Sequence, residues 1–192
     1  EFPKNVLEVL RQPLEDGEIT ISRANGSAKF PAKFMLVASM NPCPCGYYGE
    51  QSHQCICTPN QISRYINKIS GPLLDRFDIH IEVPALPFHQ LTNYQKSESS
   101  AEIRKRVNSV RAIQVKRYKN EGIYCNAQLK PKQIRKYCSL SEEQNKIMKA
   151  AFDSLKLSAR AYDRILKVAR TIADLDNSDK IQSHHLAEAI QY

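Results

Sequence analysis

Two Cys-x-Cys pairs nine residues apart, Cys43/Cys45 and Cys55/Cys57, restrict this chain more than any other feature. The stretch between them, Gly-Tyr-Tyr-Gly-Glu-Gln-Ser-His-Gln, is too polar and too rich in turn residues to form a strand or to bury itself. Something other than a hydrophobic core must hold it. Four thiolates on a glycine-containing loop make a Cys₄ tetrahedral zinc site with ligands at about 2.3 Å, although these pairs are tighter than the usual C-x₂-C. His53 is a substitute ligand, and free thiols or disulfides are the alternatives. Clustered cysteines in a chain of 192 residues argue against a secreted disulfide scaffold and for a reducing cytoplasm.

The flanks of this loop carry the remaining signals. Upstream, Phe34-Met35-Leu36-Val37-Ala38 is a continuous apolar run, as expected of a strand buried on both faces. Asn41 follows just past its end, where open parallel sheets place ligands. Downstream, Thr58-Pro59 pairs an N-cap with a first-turn proline and opens a helix through Ile62, Tyr65, Ile66 and Ile69. Gly71-Pro72 stops it, and Asp78 to Val83 alternates as a second strand ended by Pro84.

Ahead of the loop, Val6, Leu7, Val9, Leu10 and Leu14 predict a short amphipathic helix ending near Pro13 and Asp16-Gly17. Ile19 to Ala32 alternates about Asn25-Gly26 and predicts a hairpin. From Ser99 on, the periodicity is helical throughout. Ile103, Val107, Val110 and Gln114 form one stripe, and a short helix is expected at 131–138. Ser141 and Gln144 make a capping box, and Ser158 and Ser183 open two more helices. The expected fold class is therefore α/β plus all-α. Its parts are an α/β piece over 1–85, an exposed linker over 86–98 and a helical domain over 99–192.

Charge follows the same division. To Thr92 the chain has 8 Lys/Arg against 9 Asp/Glu, and beyond it 20 against 11. A basic half suggests an anionic partner such as nucleic acid, although on charge alone solvated helix faces are the plainer reading. No apolar run approaches the roughly 20 residues of a membrane helix, so no membrane association is expected. His80, His89, His184 and His185 form no metal constellation by spacing.

Three stretches carry a family resemblance: NVLEVLRQPLEDGEITISRANGSAKFPAKFMLVASMNPCPCG, SGPLLDRFDIHIEVP and LSARAYDRILKVARTIADL. They resemble the magnesium-chelatase-related AAA+ ATPases, most of all the ComM/YifB subfamily, over nearly the whole chain. In that family a Walker A loop and a Walker B acidic pair precede the matching segment. No G-x-x-x-x-G-K-[ST] occurs in this sequence. The resemblance implies the C-terminal part of the ATPase core, beginning just after Walker B and followed by a helical lid.

The resemblance also implies roles for single residues. Asn41 matches sensor 1, where an amide positions the attacking water or the γ-phosphate; a turn-forming Asn before Pro42 is the plainer reading. Arg76, in Gly-Pro-Leu-Leu-Asp-Arg-Phe-Asp, matches an arginine finger supplied in trans, against a local ion pair with Asp75 or Asp78. Arg160 matches sensor 2 at the start of a lid helix, with Arg164 and Arg170 as rivals. The Ile19–Ala32 hairpin matches the pre-sensor 1 hairpin, whose Arg23, Lys29 and Lys33 would track a phosphate backbone in the pore of a ring. ATP and Mg²⁺ are then the cofactors of the whole protein, a homo-oligomeric ring, expected to be a hexamer, its assembly, and DNA its partner. Two alternatives stand beside this reading: a motor inserting metal into a tetrapyrrole, and a free-standing zinc-stabilised nucleic-acid-binding module. Without the phosphate-cradling loop, this chain by itself is expected not to hydrolyse ATP.

Overall fold

The computed structural model of the chain describes residues 2–50, 52–86 and 97–192. They divide into two compact units, Glu1–Phe77 with Glu82–Pro87, and Asp78–Ile81 with Phe88–Tyr192. Most of the 86–98 segment expected to be a linker lies outside the described residues.

The first unit begins with two short helices in place of the single one expected, α1 (Lys4–Val9) and α2 (Arg11–Asp16). Gly17 ends α2 at φ +66°, and its N–H donates to the Pro13 carbonyl at 3.0 Å. A β-carbon there would lie strained and 3.2 Å from Lys33 Cγ, so the position suits glycine. The hairpin follows as β1 (Glu18–Arg23) and β2 (Gly26–Pro31), antiparallel, with Arg23 opposite Gly26. The two turn residues are thus Ala24 and Asn25, one place earlier than the Asn25-Gly26 signal suggests. Neither has positive φ, while Gly26 takes φ +144° at the head of β2. This is not the primed turn that an Asn-Gly pair usually brings.

α3 (Pro59–Ile66) starts where the sequence places it. Thr58 Oγ1 accepts from the Gln61 amide at 3.4 Å, and Gln61 Oε1 accepts from the Thr58 amide at 2.8 Å. α4 (Gly71–Leu74) is a single turn capped by Ser70, and it buries Leu73.

The two further expected strands do not form. Residues 34–38 and 78–83 have no assigned secondary structure, and among the described residues the hairpin is the only sheet. Met35 is 87%, Val37 81% and Val83 86% exposed. An apolar run becomes an interior strand only when hydrogen-bonding strands flank it, and among the described residues no strand pairs with either run.

The second unit is a helical bundle of α5 (Ser100–Arg117), a 3₁₀ turn (Asn126–Gln128), α6 (Pro131–Tyr137), α7 (Glu142–Leu155), α8 (Ala159–Leu175) and α9 (Ser183–Gln191). α8 is the centre: α5, the 3₁₀ turn, α6 and α9 pack on it, and α7 packs on α9. Tyr118, Leu129, Ile134, Met148, Leu166, Ile172, Ile181 and Leu186 form one contiguous core with Ala169, Ala173 and Ala189. The Asp78–Ile81 segment joins this unit, the His80 amide donating to the Tyr192 carbonyl at 2.8 Å.

Ser141 and Ser158 cap α7 and α8 as expected. α9 differs: its N-cap is Gln182, whose amide donates to His185 Nδ1 at 2.9 Å. The apolar stripes also reach beyond the packing. Val110 and Gln114 are buried on α5, but Ile103 and Val107 are exposed, as are Phe152 and Leu155 on α7.

A buried charge cluster locks the bundle. Asp174 receives Arg117 Nη1 at 2.8 Å, Arg170 Nε at 3.1 Å, Gln114 Nε2 at 3.2 Å and Asn126 Nδ2 at 2.9 Å. Burial opposes its ionisation, but the hydrogen bonds from Arg117 and Asn126 and the charges of Arg170 and Arg117 prevail and hold the carboxyl below its ordinary range. No helix among the described residues is long and apolar enough to cross a membrane.

Candidate functional site

The cysteine loop folds back so that all four thiols meet. Cys43 Sγ lies 3.3 Å from Cys45 Sγ and 3.7 Å from Cys55 Sγ, and Cys45 and Cys55 are 3.5 Å apart. With Cys57 the four sulfurs lie within 4.8 Å of one another, and all are free thiols. Gly46 and Gly49, at φ +87° and +86°, make the two turns between the pairs. The Gly46 amide donates to the Cys43 carbonyl at 3.0 Å and the Glu50 amide to the Tyr47 carbonyl at 3.1 Å. His53 is not among the converging groups; its ring stacks on Tyr47 at 4.3 Å.

This crowding separates the titrations of the thiols. The backbone N–H of Tyr47 donates to Cys45 and, against burial and with help from Cys43 and the Ile56 N–H, holds that thiol down at about 6. Burial, with the hydrogen bonds of the neighbouring thiols, pushes Cys57 up to about 12. Four sulfurs this close cannot all ionise unless a cation sits among them.

Asn41 is exposed two residues before Cys43, just past the irregular stretch where the strand was expected. Arg76 follows α4 and faces into its own unit. Its Nε donates to the Arg11 carbonyl at 3.0 Å, its Nη1 to the Pro72 carbonyl, and its Nη2 pairs with Glu15; the side chain is only 10% exposed. The local ion pair weighed for it against Asp75 or Asp78 is thus made with Glu15, a residue 61 positions away.

Arg160 is exposed in the first turn of α8. The structure removes one rival: Arg170 is 2% exposed and spends its donors on Asp174, Asp179 and Ser178. On the hairpin, Arg23, Lys29 and Lys33 are all exposed, and Lys29 Nζ pairs with Glu18 at 2.6 Å.

One cluster escaped the spacing argument. Asp176, His184 and His185 bring their ligating atoms within 4.8 Å of one another. His185 Nδ1 accepts the Gln182 amide, so the neutral ring carries its proton on Nε2, which faces Asp176 Oδ2 at 2.9 Å. That nitrogen has no lone pair to give a cation. The trio is a helix cap hydrogen-bonded to Asp176, and His89 lies outside the described residues.

Comparison with known proteins covers the chain from end to end. Residues 1–91 match the family model described as magnesium chelatase, subunit ChlI, and residues 97–192 match that described as magnesium chelatase, subunit ChlI C-terminal. The competence protein ComM of Haemophilus influenzae is 49% identical over 193 residues, covering 100% of this chain and 37% of the relative. The uncharacterised protein YifB is 44% identical in Escherichia coli and 43% in Salmonella typhimurium, with the same coverage. The chain spans little more than a third of the length of these curated relatives.

Proposed function

The chain belongs to the magnesium chelatase ChlI family, of the ComM/YifB type, and from that premise we propose that it is the C-terminal part of an AAA+ ATPase that remodels DNA. The observation that carries this reading is the succession of two matches, one to each part of the same subunit, along a single chain.

In this reading the first unit brings the edge of a nucleotide site and the second brings a lid. Asn41 is exposed and polar beyond an apolar run, which suits contact with a phosphate oxygen or the attacking water. Arg160 is exposed in the first turn of α8, at the positive end of the helix dipole, which suits sensor 2. The exposed runs at 34–38 and 79–83 would be strands of the ATPase sheet, covered by the rest of the core. ATP and Mg²⁺ need a phosphate cradle, and the sequence has no P-loop motif to supply one. The residues here therefore complete a site that they do not form alone.

Arg76 has the hardest case to make. As a finger it must leave Glu15 and reach a neighbour's nucleotide in a ring, proposed to be hexameric. The exchange of one partially exposed anion for a phosphate is modest in energy. Mutation of Arg76 to alanine in the full-length protein separates the roles. A finger predicts ATP turnover lower by roughly 10³- to 10⁵-fold with ATP binding and assembly unchanged. Near-normal turnover overturns it, and loss of assembly together with ATP binding assigns Arg76 to holding α4 on α2.

DNA is preferred over a tetrapyrrole because the ComM relative, by its printed name a competence protein, matches this chain at 49% identity. The hairpin is its proposed contact. Removing Arg23 and Lys29 should weaken DNA-stimulated turnover and flatten its salt dependence. Unchanged stimulation and salt slope would exclude the hairpin from the DNA path.

A further inference from the structure

We propose that Cys43, Cys45, Cys55 and Cys57 bind one structural zinc ion. Four ligands at about 2.3 Å in a tetrahedron place their sulfurs roughly 3.8 Å apart. Among Cys43, Cys45 and Cys55 the separations are 3.3, 3.5 and 3.7 Å, and the whole set with Cys57 lies within 4.8 Å. A single ion fits that space with a few tenths of an ångström of expansion. These separations are far beyond a disulfide bond of about 2.05 Å.

The loop gives an independent reason. It has no helix or strand, and apart from Cys43 it buries none of its described side chains. Yet Cys43 is 0% exposed, with the sulfurs of Cys45 and Cys55 against its own. A segment with so little apolar burial has nothing to offset the entropy of ordering it, and a coordinated ion supplies that stabilisation. The main chain is already arranged as an outer layer: the N–H groups of Tyr47 and Ile56 donate to Cys45 and that of Tyr48 to Cys43. Such donors spread the charge of thiolate ligands and fix their directions.

The chemistry of the donor set narrows the ion. Four sulfurs in a tetrahedron select zinc or iron, and a closed set of four thiolates suits structural zinc. Hard cations such as Mg²⁺ are poorly served by thiolates. The ion would have no reactive role. It would pin Asn41, two residues before the first ligand, and Thr58, the cap of α3, one residue after the last.

The test is metal analysis of the untagged 192-residue chain, purified under reducing conditions without chelator. We expect one zinc per chain, falling to near zero in Cys43→Ser/Cys55→Ser and staying at one in Cys125→Ser. Replacement by Co²⁺ should give the visible absorption of a tetrahedral thiolate site, lost in the same double variant. Helical circular dichroism of the second unit serves as the folding control, and its melt should be unchanged by the double substitution. Four freely titrating thiols with no metal would overturn the proposal. So would stoichiometric iron in place of zinc, or metal lost equally from Cys125→Ser.

Discussion

The two units reach order by opposite means. The helical unit encloses a dozen apolar side chains about α8 and satisfies a buried carboxylate with two arginines and two amides. Among the described residues of the first unit only Pro13, Cys43 and Leu73 are buried, and one of those is a thiol of the cysteine cluster. The difference shows that similar amounts of apolar sequence do not make similar cores. What counts is whether the segments that could cover each other are present, and in the first unit Met35, Val37 and Val83 stay open.

The largest effect should come from the charge cluster. Asp174→Ala leaves two arginine side chains with a buried partner missing and should cost the helical unit about 3–5 kcal/mol. Chemical denaturation followed by helical circular dichroism reads it. A loss below 1 kcal/mol would mean that water reaches this cluster and that the unit rests on apolar packing alone.

Next comes a paired truncation. Leu186→Ala, at a site with 0% exposure, should cost about 2–5 kcal/mol, while Val37→Ala in this chain should change stability by under about 0.5 kcal/mol. Equal costs would erase the contrast between the units. In the full-length protein the Val37 substitution should become costly, because the proposed sheet covers it there.

Smaller still, Ser141→Ala removes the N-cap of α7 and should cost about 1 kcal/mol. The last prediction is a pH dependence. Glu121 receives Lys136 Nζ and the Tyr137 hydroxyl, both at 2.6 Å, and Gln133 Nε2 at 3.1 Å, and these hold its carboxyl down at about 2. A carboxyl depressed on folding adds stability in full above its ordinary value near 4.5, and that stability fades as pH falls through about 2. The gap between the melts of the wild type and Glu121→Gln should therefore narrow from pH 4.5 to pH 2. A constant gap would show that Glu121 does not titrate in this window.

Legibility in the sequence follows the same line between units. Thr58, Ser141 and Ser158 announce helix starts because hydroxyl caps act locally, within three residues. Periodicity located the bundle but ran past its packing at Ile103 and Val107, since a stripe does not say where its neighbour stops. The runs at 34–38 and 78–83 carry the composition of buried strands, with no paired strand among the described residues to make them so. His185 closes a cap through a ring nitrogen, a role that sequence rules reserve for other residues. The Asp174 cluster joins positions up to 60 residues apart. Its one local trace is Arg170 and Asp174, four residues apart on the innermost stripe of α8 among Ala169, Ile172 and Ala173. At the candidate site, spacing brought out the four cysteines but not the partner of Arg76, because Glu15 is distant in sequence.

In the proposed function, Asn41 completes the chain's own nucleotide site and Arg76 a neighbour's. Mixing two full-length variants tests this directly, Asn41→Ala and Arg76→Ala, each expected to be inactive alone. Where an Arg76→Ala subunit, with its own Asn41 intact, sits beside an Asn41→Ala subunit that supplies a normal Arg76, a whole site is restored. The mixture should regain a measurable fraction of ATP turnover. Co-assembly of the two variants with no recovered turnover would contradict it.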